Sequence, residues 1–237
     1  MTKLQRVALI TGANKGIGFE TARQLGALGF QVLLAARDTA KGEAAAARLR
    51  EAGHPAHFFR LDVTSRDSAN AAAHAVEQQF DRLDVLVNNA GVLLDGGVAP
   101  LAIDTGVLQA TMEANLYGAI QVTQAMLPLL RRSTDARIIN VSSGWGSLTA
   151  VSQEGPGPPA YHLSKAALNM WTVISAHQLR SEGISVNSIC PGWVRTDMGT
   201  AAAPKSVEQG AAIIVKLATE SNPPTGGFYN DSGSVEW

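Results

Sequence analysis

The stretch Thr11-Gly12-Ala13-Asn14-Lys15-Gly16-Ile17-Gly18 decides the fold of this chain. It follows an apolar run, Val7–Thr11, that is typical of a buried β-strand, and it leads into a segment with helical periodicity. Glycines at such a junction allow a tight turn and let backbone N–H groups approach a phosphate at the positive end of the helix. The spacing is G-x-x-x-G-x-G rather than the commoner G-x-G-x-x-G. The pattern predicts a dinucleotide-binding turn, with an ordinary strand-to-helix turn as the alternative.

Apolar, β-rich runs alternate with helix-like segments along the chain, a pattern typical of βαβ units. We therefore predict an α/β fold: one domain spanning residues 1–237, with a doubly wound parallel sheet of the Rossmann type and helices on both faces. The predicted strands are 7–11, 32–36, 57–61, 85–88, 137–141, 185–190 and a short one near 227–229. The predicted helices are 17–28, 40–52, 66–80, 104–130, 159–182 and 207–219. Segments 144–159 and 192–205 are predicted loops that follow strands, so we expect them to overhang the ligand crevice.

Composition limits the classes of partner. The formal net charge is −1, and the charged residues form no Lys/Arg cluster, so the sequence favours neither nucleic acid nor an anionic membrane surface as a partner. No apolar stretch is long enough to span a bilayer and no signal-like cleavage pattern follows the start, which predicts a cytoplasmic protein. Cys190 is the single cysteine, and the five histidines lack metal-ligand spacing, so neither an internal disulfide nor a metal site is expected.

The end of the second predicted strand indicates which dinucleotide binds. An acidic residue about twenty positions after the glycine turn usually holds the ribose 2′-hydroxyl of NAD. Here the first polar residue is Arg37, whose guanidinium suits a 2′-phosphate, and Lys15 within the turn adds a second cation. The sequence therefore favours NADP(H) as cofactor. Asp38 leaves NAD open, and two solvated surface cations are the alternative interpretation.

Tyr161 and Lys165 stand four residues apart at the start of a predicted helix, so both side chains project from one face. An isolated tyrosine is a weak acid at neutral pH, but a nearby ammonium favours the phenolate and lowers the tyrosine pKa. The pair is therefore a candidate proton donor. Many ordinary helix faces carry the same spacing.

The motifs TGANKGIG, LDVLVNNAG, Asn115, INVSS and YHLSK occur in this order, and together the chain resembles the short-chain dehydrogenase/reductase family over nearly its whole length. Within that family it is most similar to the NADPH-dependent carbonyl reductases, because ANKGIG, AARD, CPGWVRTDMG and the terminal Val235-Glu236-Trp237 echo that group. The resemblance implies reduction of a small-molecule carbonyl substrate to an alcohol by hydride transfer. Two alternatives are another enzyme of the family, such as a hydroxysteroid dehydrogenase or an oxoacyl-thioester reductase, and a non-catalytic NADP-binding sensor.

The resemblance also assigns catalytic roles. It makes Tyr161 the acid that protonates the carbonyl oxygen, and Lys165 the cation that lowers the Tyr161 pKa and binds the nicotinamide ribose. Ser143 is expected to orient the substrate oxygen, with Ser142 as the fallback. Asn115 resembles the family residue that helps to order a water in the proton relay, and a plain helix-surface asparagine is the alternative.

Cofactor and substrate contacts follow from the same resemblance. Asp62 and Val63 are expected beside the adenine ring, and Asn89 by the ribose next to it. The nicotinamide amide is expected to lie against three residues after the sixth strand: Val194, Arg195 and Thr196. Trp145 and Trp193 lie in the two overhanging loops, where they form either an apolar substrate wall or anchors of the loops themselves.

The length of one loop bears on association. Ser143 and Tyr161 are 18 residues apart, a few more than in most family members and far fewer than in the mammalian carbonyl reductases with their long helical insertion. In those relatives the insertion covers a helix face that other members use to associate. Its absence leaves helices 104–130 and 159–182 free to pair between subunits, and we expect a homodimer or homotetramer.

Overall fold

A computed structural model describes residues 5–155 and 157–237, and in it eight strands form one sheet in the order β3-β2-β1-β4-β5-β6-β7-β8. All neighbouring pairs from β3 to β7 are parallel, and β8 pairs antiparallel with β7. The strands are β1 Val7–Thr11, β2 Gln31–Ala36, β3 Ala56–Arg60, β4 Val85–Asn88, β5 Arg137–Val141, β6 Ser185–Ile189, β7 Phe228–Asn230 and β8 Gly233–Ser234. The predicted doubly wound parallel sheet is confirmed, and the bounds of the seven predicted strands differ from it by one residue at most. The two-residue β8 is too short to leave an alternating pattern in the sequence.

Helices cover both faces of the sheet. They are α1 Gly16–Ala27, α2 Thr39–Glu51, α3 Arg66–Gln79, α4 Thr105–Met112, α5 Gly118–Leu130, α6 Leu148–Glu154, α7 Pro159–Leu179 and α8 Val207–Thr219. Successive residues of β1 face opposite sides: Leu9 packs in the core beneath α3, α5 and α7, and Ile10 in the core beneath α1, α2 and α8. This alternation is what a strand buried on both faces requires. Among the described residues, no helix combines the length and apolar character that crossing a bilayer would need.

The predicted helix 104–130 contains an interruption. Its first residue is Thr105, because the Asp104 carboxylate accepts the N–H groups of Gly106 at 2.8 Å and Val107 at 3.0 Å and so caps α4. A π-helical turn, Glu113–Tyr117, then separates α4 from α5, with the Gly118 N–H bonded to the carbonyl five residues earlier. A π turn inserts a single extra residue into the helical register, which the hydrophobic pattern does not reveal.

The prediction of a loop over 144–159 was wrong in part. A 3₁₀ turn, Gly144–Gly146, is followed by helix α6, whose N-terminus is capped by Ser147 accepting the Ala150 N–H at 3.0 Å. Seven residues are too few to show helical periodicity, so the cap rather than the pattern defines this helix. Residue 156 of this segment lies outside the described residues.

A row of buried hydrogen bonds fixes two helices to the sheet. Asn88 on β4 donates to Thr123 Oγ1 of α5 at 3.0 Å and to Asn140 Oδ1 on β5 at 2.9 Å. Asn140 donates to Thr172 Oγ1 of α7 at 2.8 Å, and the Thr172 hydroxyl is 2.8 Å from that of Ser188 on β6. All five side chains are buried. Since buried polar groups are costly when unpaired, the row holds α5 and α7 in one register against the sheet.

The order of the strands positions a crevice. The chain runs outward from β1 to β2 and β3, and then returns to the other side of β1 for β4. Ligands in open parallel sheets bind at the carboxyl ends of the strands where the order reverses. Thr11, at the end of β1, ties this point together, because its hydroxyl accepts the N–H groups of Asn89 at 2.9 Å and Ala90 at 3.0 Å.

Candidate active site

The glycine turn after β1 forms the floor of the crevice. Gly12 has φ +65°, and a Cβ there would lie 3.0 Å from Ala90 Cα. A Cβ on Gly18 would lie 2.5 Å from Asn89 Nδ2, the atom that donates to Thr11 O at 2.7 Å. No described side chain caps the N-terminus of α1, and its first turn holds no acidic residue. Its backbone N–H groups and positive dipole end therefore suit an anion such as a pyrophosphate.

The charges beside this turn differ from the expectation in one respect. Lys15 is not an isolated cation, because its ammonium forms an ion pair with Asp197. Both side chains are largely exposed, so the pair contributes little stability. Arg37 is exposed at the end of β2 and forms no ion pair with any described residue. Asp38, which left NAD open, instead caps α2 by accepting the Lys41 N–H at 3.0 Å.

Asp62 and Val63 follow β3, the strand beside β2. Thr64 donates two hydrogen bonds to Asp62 Oδ1, from its hydroxyl at 2.8 Å and from its backbone N–H at 3.0 Å. These bonds hold the pKa of Asp62 below its ordinary value, and the charge of Arg37 acts in the same direction. Val63 packs closely on the helix after the π turn, since a Cβ on Gly118 would lie 2.9 Å from Val63 Cγ2. Both residues therefore line the same edge of the sheet as Arg37.

Tyr161, Ser143 and Lys165 meet where β5 ends against the first turns of α7. Lys165 Nζ lies 5.4 Å from the centroid of the Tyr161 ring and donates to Val141 O at 2.8 Å. The Ser143 hydroxyl lies close enough to the Tyr161 phenol to act on its pKa. The Ser142 hydroxyl is buried and directed at the Lys165 carbonyl, 3.5 Å away. Of the two serines, it is therefore Ser143 that faces the phenol.

Burial is the largest influence on the pKa values of Tyr161 and Lys165. It raises the pKa of Tyr161 above its ordinary value, with the neighbouring Cys190 side chain acting in the same direction and the nearby Ser143 hydroxyl opposing both. Burial also lowers the pKa of Lys165 to about 8. The expected lowering of the Tyr161 pKa by Lys165 is not found, because removing both groups from water disfavours both charged forms. The phenol is therefore protonated at neutral pH.

Asn115 lies within the π turn and is 1% exposed, so it is not a helix-surface asparagine. Its Nδ2 donates to Val92 O at 2.9 Å and to Ser164 Oγ at 3.0 Å, while its Oδ1 accepts the Val92 N–H at 2.7 Å. A Cβ on Gly91 would lie 3.1 Å from Asn115 Oδ1 and 3.6 Å from Lys165 Nζ, so both side chains approach the same glycine. The side-chain amide thus ties the loop after β4 to α7.

The three residues expected at the nicotinamide behave differently from one another. Val194 is buried beneath α8, and the Arg195 guanidinium donates to the Pro204 carbonyl at 2.9 Å, which closes its own loop. Thr196 reaches the glycine turn, because a Cβ on Gly16 would lie 3.4 Å from Thr196 Cγ2. The loop after β6 therefore contacts the glycine turn through Thr196 and through the Lys15–Asp197 ion pair.

The two tryptophans lie in the overhanging loops and are exposed. Trp145 presents its ring at 85° to Tyr161 with centroids 6.1 Å apart, and it stacks on His162 at 5.1 Å. Trp193 is held within its own loop by donating to Gly199 O at 2.6 Å. Other large apolar side chains in the segments after β4, β5 and β6 are also exposed: Leu94, Leu148 at the start of α6, and Met198. With the tryptophans they form what we call the apolar rim.

Two contacts of the site were not predicted. Asp197 pairs with Lys15 across 182 residues, and Cys190 Sγ accepts the Gly144 N–H at 3.1 Å beside Ser143. Both residues lie in the segment CPGWVRTDMG, which carries part of the resemblance, but no local pattern indicates which residue each of them contacts. Among the described residues no cluster of three His, Cys, Asp or Glu side chains could hold a metal ion.

Comparison with protein families and curated proteins agrees with this arrangement. The family model described as short chain dehydrogenase matches residues 6–217. The short-chain dehydrogenase anuI of Penicillium roqueforti is 38% identical over 228 residues, covering 92% of this chain and 90% of the relative. Carbonyl reductase (NADPH) 1 of Sus scrofa is 34% identical over 282 aligned positions, covering 100% of this chain and 96% of the relative.

Solved structures show the same similarity. The NADPH-bound carbonyl reductase from chicken fatty liver has a TM-score of 0.89 and 29% identity, covering 98% of this chain and 99% of that one. The carbonyl reductase Sniffer of D. melanogaster has a TM-score of 0.89 and 28% identity, covering 98% and 100%. The similarity therefore extends over nearly the whole chain rather than over the glycine turn alone.

The buried Lys165 predicts a pH-dependent effect on stability. Burial lowers its pKa from 10.5 to about 8, so at pH 7 the folded state carries a charge that burial disfavours. As the pH rises through 8, the folded lysine loses its proton while the unfolded lysine keeps it to about pH 10.5, and the destabilisation shrinks. The stability of Lys165→Met relative to wild type should therefore fall by about 2–3 kcal/mol between pH 7 and pH 10.

Urea unfolding at both pH values measures this difference. Lys165→Met also loses the hydrogen bond from Lys165 to the Val141 carbonyl, and this loss lowers the stability by the same amount at both pH values. The exposed Lys216→Met is the control and should show no change with pH. A Lys165→Met difference that is equal at pH 7 and pH 10 contradicts the prediction.

Proposed function

We propose that this chain, which belongs to the short-chain dehydrogenase family, reduces the carbonyl groups of aldehydes or ketones to alcohols with NADPH. The observation that carries the proposal is the contact between Tyr161, Ser143 and Lys165 at the carboxyl edge of the sheet, beside a turn suited to a pyrophosphate. Relatives named as NADPH carbonyl reductases support the choice of reaction.

We propose that the cofactor lies along this edge. Its phosphates would lie against Gly12, Asn14, Lys15, Gly16, Ile17 and Gly18, its adenosine by Arg37, Asp62, Val63 and Asn89, and its nicotinamide amide by Val194, Arg195 and Thr196. Arg37 supports NADP over NAD, since its guanidinium is exposed and forms no ion pair with a described residue. Asp38 supports the same choice, because its carboxylate is engaged as the cap of α2. When bound, NADPH supplies the hydride that reaches the carbonyl carbon.

Tyr161 would supply the proton. Its pKa is raised by burial, so the hydroxyl keeps its proton until the substrate oxygen gains negative charge and becomes the stronger base. The Ser143 hydroxyl would hydrogen-bond to the same oxygen and orient it. The Lys165 ammonium, 5.4 Å from the ring, would stabilise the phenolate that remains.

Asn115 would act through its backbone. Its side-chain amide is engaged by Val92 and Ser164, so a relay water that returns a proton towards Lys165 would be held by a main-chain group of the π turn. Such turns leave backbone groups outside the regular i to i−4 pattern, and they recur at functional sites.

The apolar rim supports a bulky, apolar substrate. The tryptophans and the exposed leucines and methionine lie in segments that follow neighbouring strands, at the carboxyl edge where Tyr161 lies. Apolar surface of this kind stabilises the bound state by excluding water from an apolar substrate.

A panel of aldehydes, ketones, diketones and quinones, followed by loss of NADPH absorbance, tests the reaction and ranks the substrates. No NADPH oxidation with any member would contradict the proposed function.

We also propose that two copies of the chain associate through α5 and α7. Leu163, Met170, Val173 and Ile174 are exposed on α7 at helical spacing, which gives this helix an apolar stripe. Stripes of this kind on surface helices mark association sites. A second copy would cover the stripe with its own.

The first test replaces the proton donor. Tyr161→Phe keeps the ring and removes only the hydroxyl, so kcat should fall by roughly a hundred- to ten-thousand-fold. Binding of NADPH, measured by fluorescence titration, should stay close to wild type. The exposed Tyr117→Phe is the matched control and should be fully active. If Tyr161→Phe kept more than half of the activity, the proton would have another source.

The second test concerns cofactor choice. One hydrogen bond from Arg37 to a charged phosphate contributes roughly 1.5–3 kcal/mol, which gives NADPH a preference of about tenfold or more in kcat/KM. Arg37→Asp should reverse the preference, because a carboxylate repels the phosphate and accepts from a free ribose hydroxyl. Lys15→Ala should have the smaller effect, since Lys15 already pairs with Asp197. Arg180→Asp, with the same charge change at the end of α7, is the control. Equal kcat/KM for NADH and NADPH in the wild type at low salt contradicts the assignment.

The third test measures association. The protein should sediment as a dimer or larger species at micromolar concentration, and Ile174→Glu should shift it towards the 24.8 kDa monomer. Leu28→Glu places the same charge at an exposed leucine outside the stripe and should leave association unchanged. A wild-type protein that is wholly monomeric refutes the proposal.

A further inference from the structure

The helix that carries Tyr161 begins without a local cap. Its N-cap residue is Pro158, which offers no side-chain acceptor, and its first turn contains no acidic residue. Instead the N–H of Ala160, the second helical residue, donates to Asp95 Oδ2 at 2.5 Å. The cap therefore comes from a residue 65 positions earlier in the chain, in the loop after β4.

The burial of Asp95 makes this contact significant. The residue is 1% exposed, its Oδ1 has no hydrogen-bond partner among the described residues, and it forms no ion pair with them. A carboxylate removed from water is unfavourable unless hydrogen bonds and local charge compensate it. Here the Ala160 N–H and the positive end of a 21-residue helix are the compensating groups that the structure shows.

The same loop is fixed at its other end. Asn115 binds both the N–H and the carbonyl of Val92, three residues before Asp95. Tyr161 directly follows Ala160 and is the third residue of α7. The first turn of a helix frays most readily when its N–H groups lack acceptors. The Tyr161 side chain thus projects from the segment that Asp95 stabilises.

We propose that Asp95 is a positioning residue, whose carboxylate caps α7 from the loop after β4 and so holds the Tyr161 hydroxyl beside Ser143. This inference rests on the proposed function, in which Tyr161 donates the proton. Small displacements of a reacting group can lower a rate by about a hundredfold, so fraying of this one turn should reduce turnover.

A competing explanation for the buried Asp95 carboxylate is that it acts on His162 rather than on the start of α7. Burial lowers the pKa of His162 and the charge of Asp95 opposes that shift, so the two side chains influence each other. His162 also stacks on Trp145. Asp95→Asn separates the explanations, because the amide retains an oxygen that can accept the Ala160 N–H but has no charge to act on His162.

The experiment compares Asp95→Ala, Asp95→Asn and the control Asp104→Ala, which removes the equivalent carboxylate cap of α4. Measured are kcat and the carbonyl KM, the NADPH Kd by fluorescence titration, and amide hydrogen exchange over residues 159–164. For Asp95→Ala we expect kcat at least tenfold lower, an NADPH Kd within twofold of wild type, and at least tenfold faster exchange of the Ala160 amide. Asp95→Asn should stay within threefold of wild type in kcat and exchange. Asp104→Ala should change neither.

Wild-type kcat and wild-type exchange in Asp95→Ala would overturn the inference. Asp95→Asn as impaired as Asp95→Ala would also overturn it, since the hydrogen bond would then not be the cause. Failure of the proposed function looks different: the wild type would reduce no carbonyl compound, or Tyr161→Phe would remain active. If the proposed function fails, the hydrogen-exchange measurement still tests whether Asp95 caps α7. If Asp95→Ala does not fold, Asp95→Asn provides the test.

Discussion

The need to satisfy buried amides and hydroxyls between the sheet and its helices constrains the rest of this molecule. Asn88 and Asn140 lie side by side on β4 and β5, and their amides reach Thr123 of α5 and Thr172 of α7. Apolar packing alone would tolerate some sliding of a helix over a sheet, but directional hydrogen bonds in a low-dielectric core do not. They fix the height of α5 and α7 above the strands, and with it the positions of the residues at the N-terminal ends of both helices.

That frame places the two side chains proposed to react, Tyr161 and Lys165, where both are unfavourably buried. Tyr161 and Lys165 are both removed from water, and the pKa values of both move towards the neutral form. Such burial lowers stability, but it would favour the proposed reaction, because a dry site strengthens each interaction with the charge that develops on a substrate. Gly146 contributes to this burial, since a Cβ there would lie 2.8 Å from the backbone of Lys165. The loop after β5 can therefore lie directly on α7.

Tertiary contacts also set the charges around the proposed cofactor crevice. Asp38 and Arg37 are neighbours in sequence, yet one caps a helix and the other extends into solvent. Lys15 is joined by Asp197, a residue from a loop at the far side of the glycine turn. The number of positive charges that a phosphate would meet is thus smaller than the sequence alone suggests, and Arg37 becomes the main contributor to the proposed preference for NADP.

The sequence by itself determined the parallel sheet and the place of the crevice. Strand runs, the glycine turn and the spacing of Tyr161 and Lys165 are local features, because each depends on residues within one or two turns of the chain. The π turn at Asn115 and the short α6 escaped prediction, since a single inserted residue and a seven-residue helix leave almost no periodic signal.

The tertiary structure alone decided the long-range pairings and the ionisation of the site. The Lys15–Asp197 ion pair and the Asp95 cap of α7 join residues far apart in the chain, and no local pattern encodes which acid meets which donor. The prediction that the Tyr161 pKa is lowered was wrong for a related reason, since the structure raises it. Spacing shows that an ammonium is near, but only packing shows how much water is lost, and here desolvation raises the Tyr161 pKa.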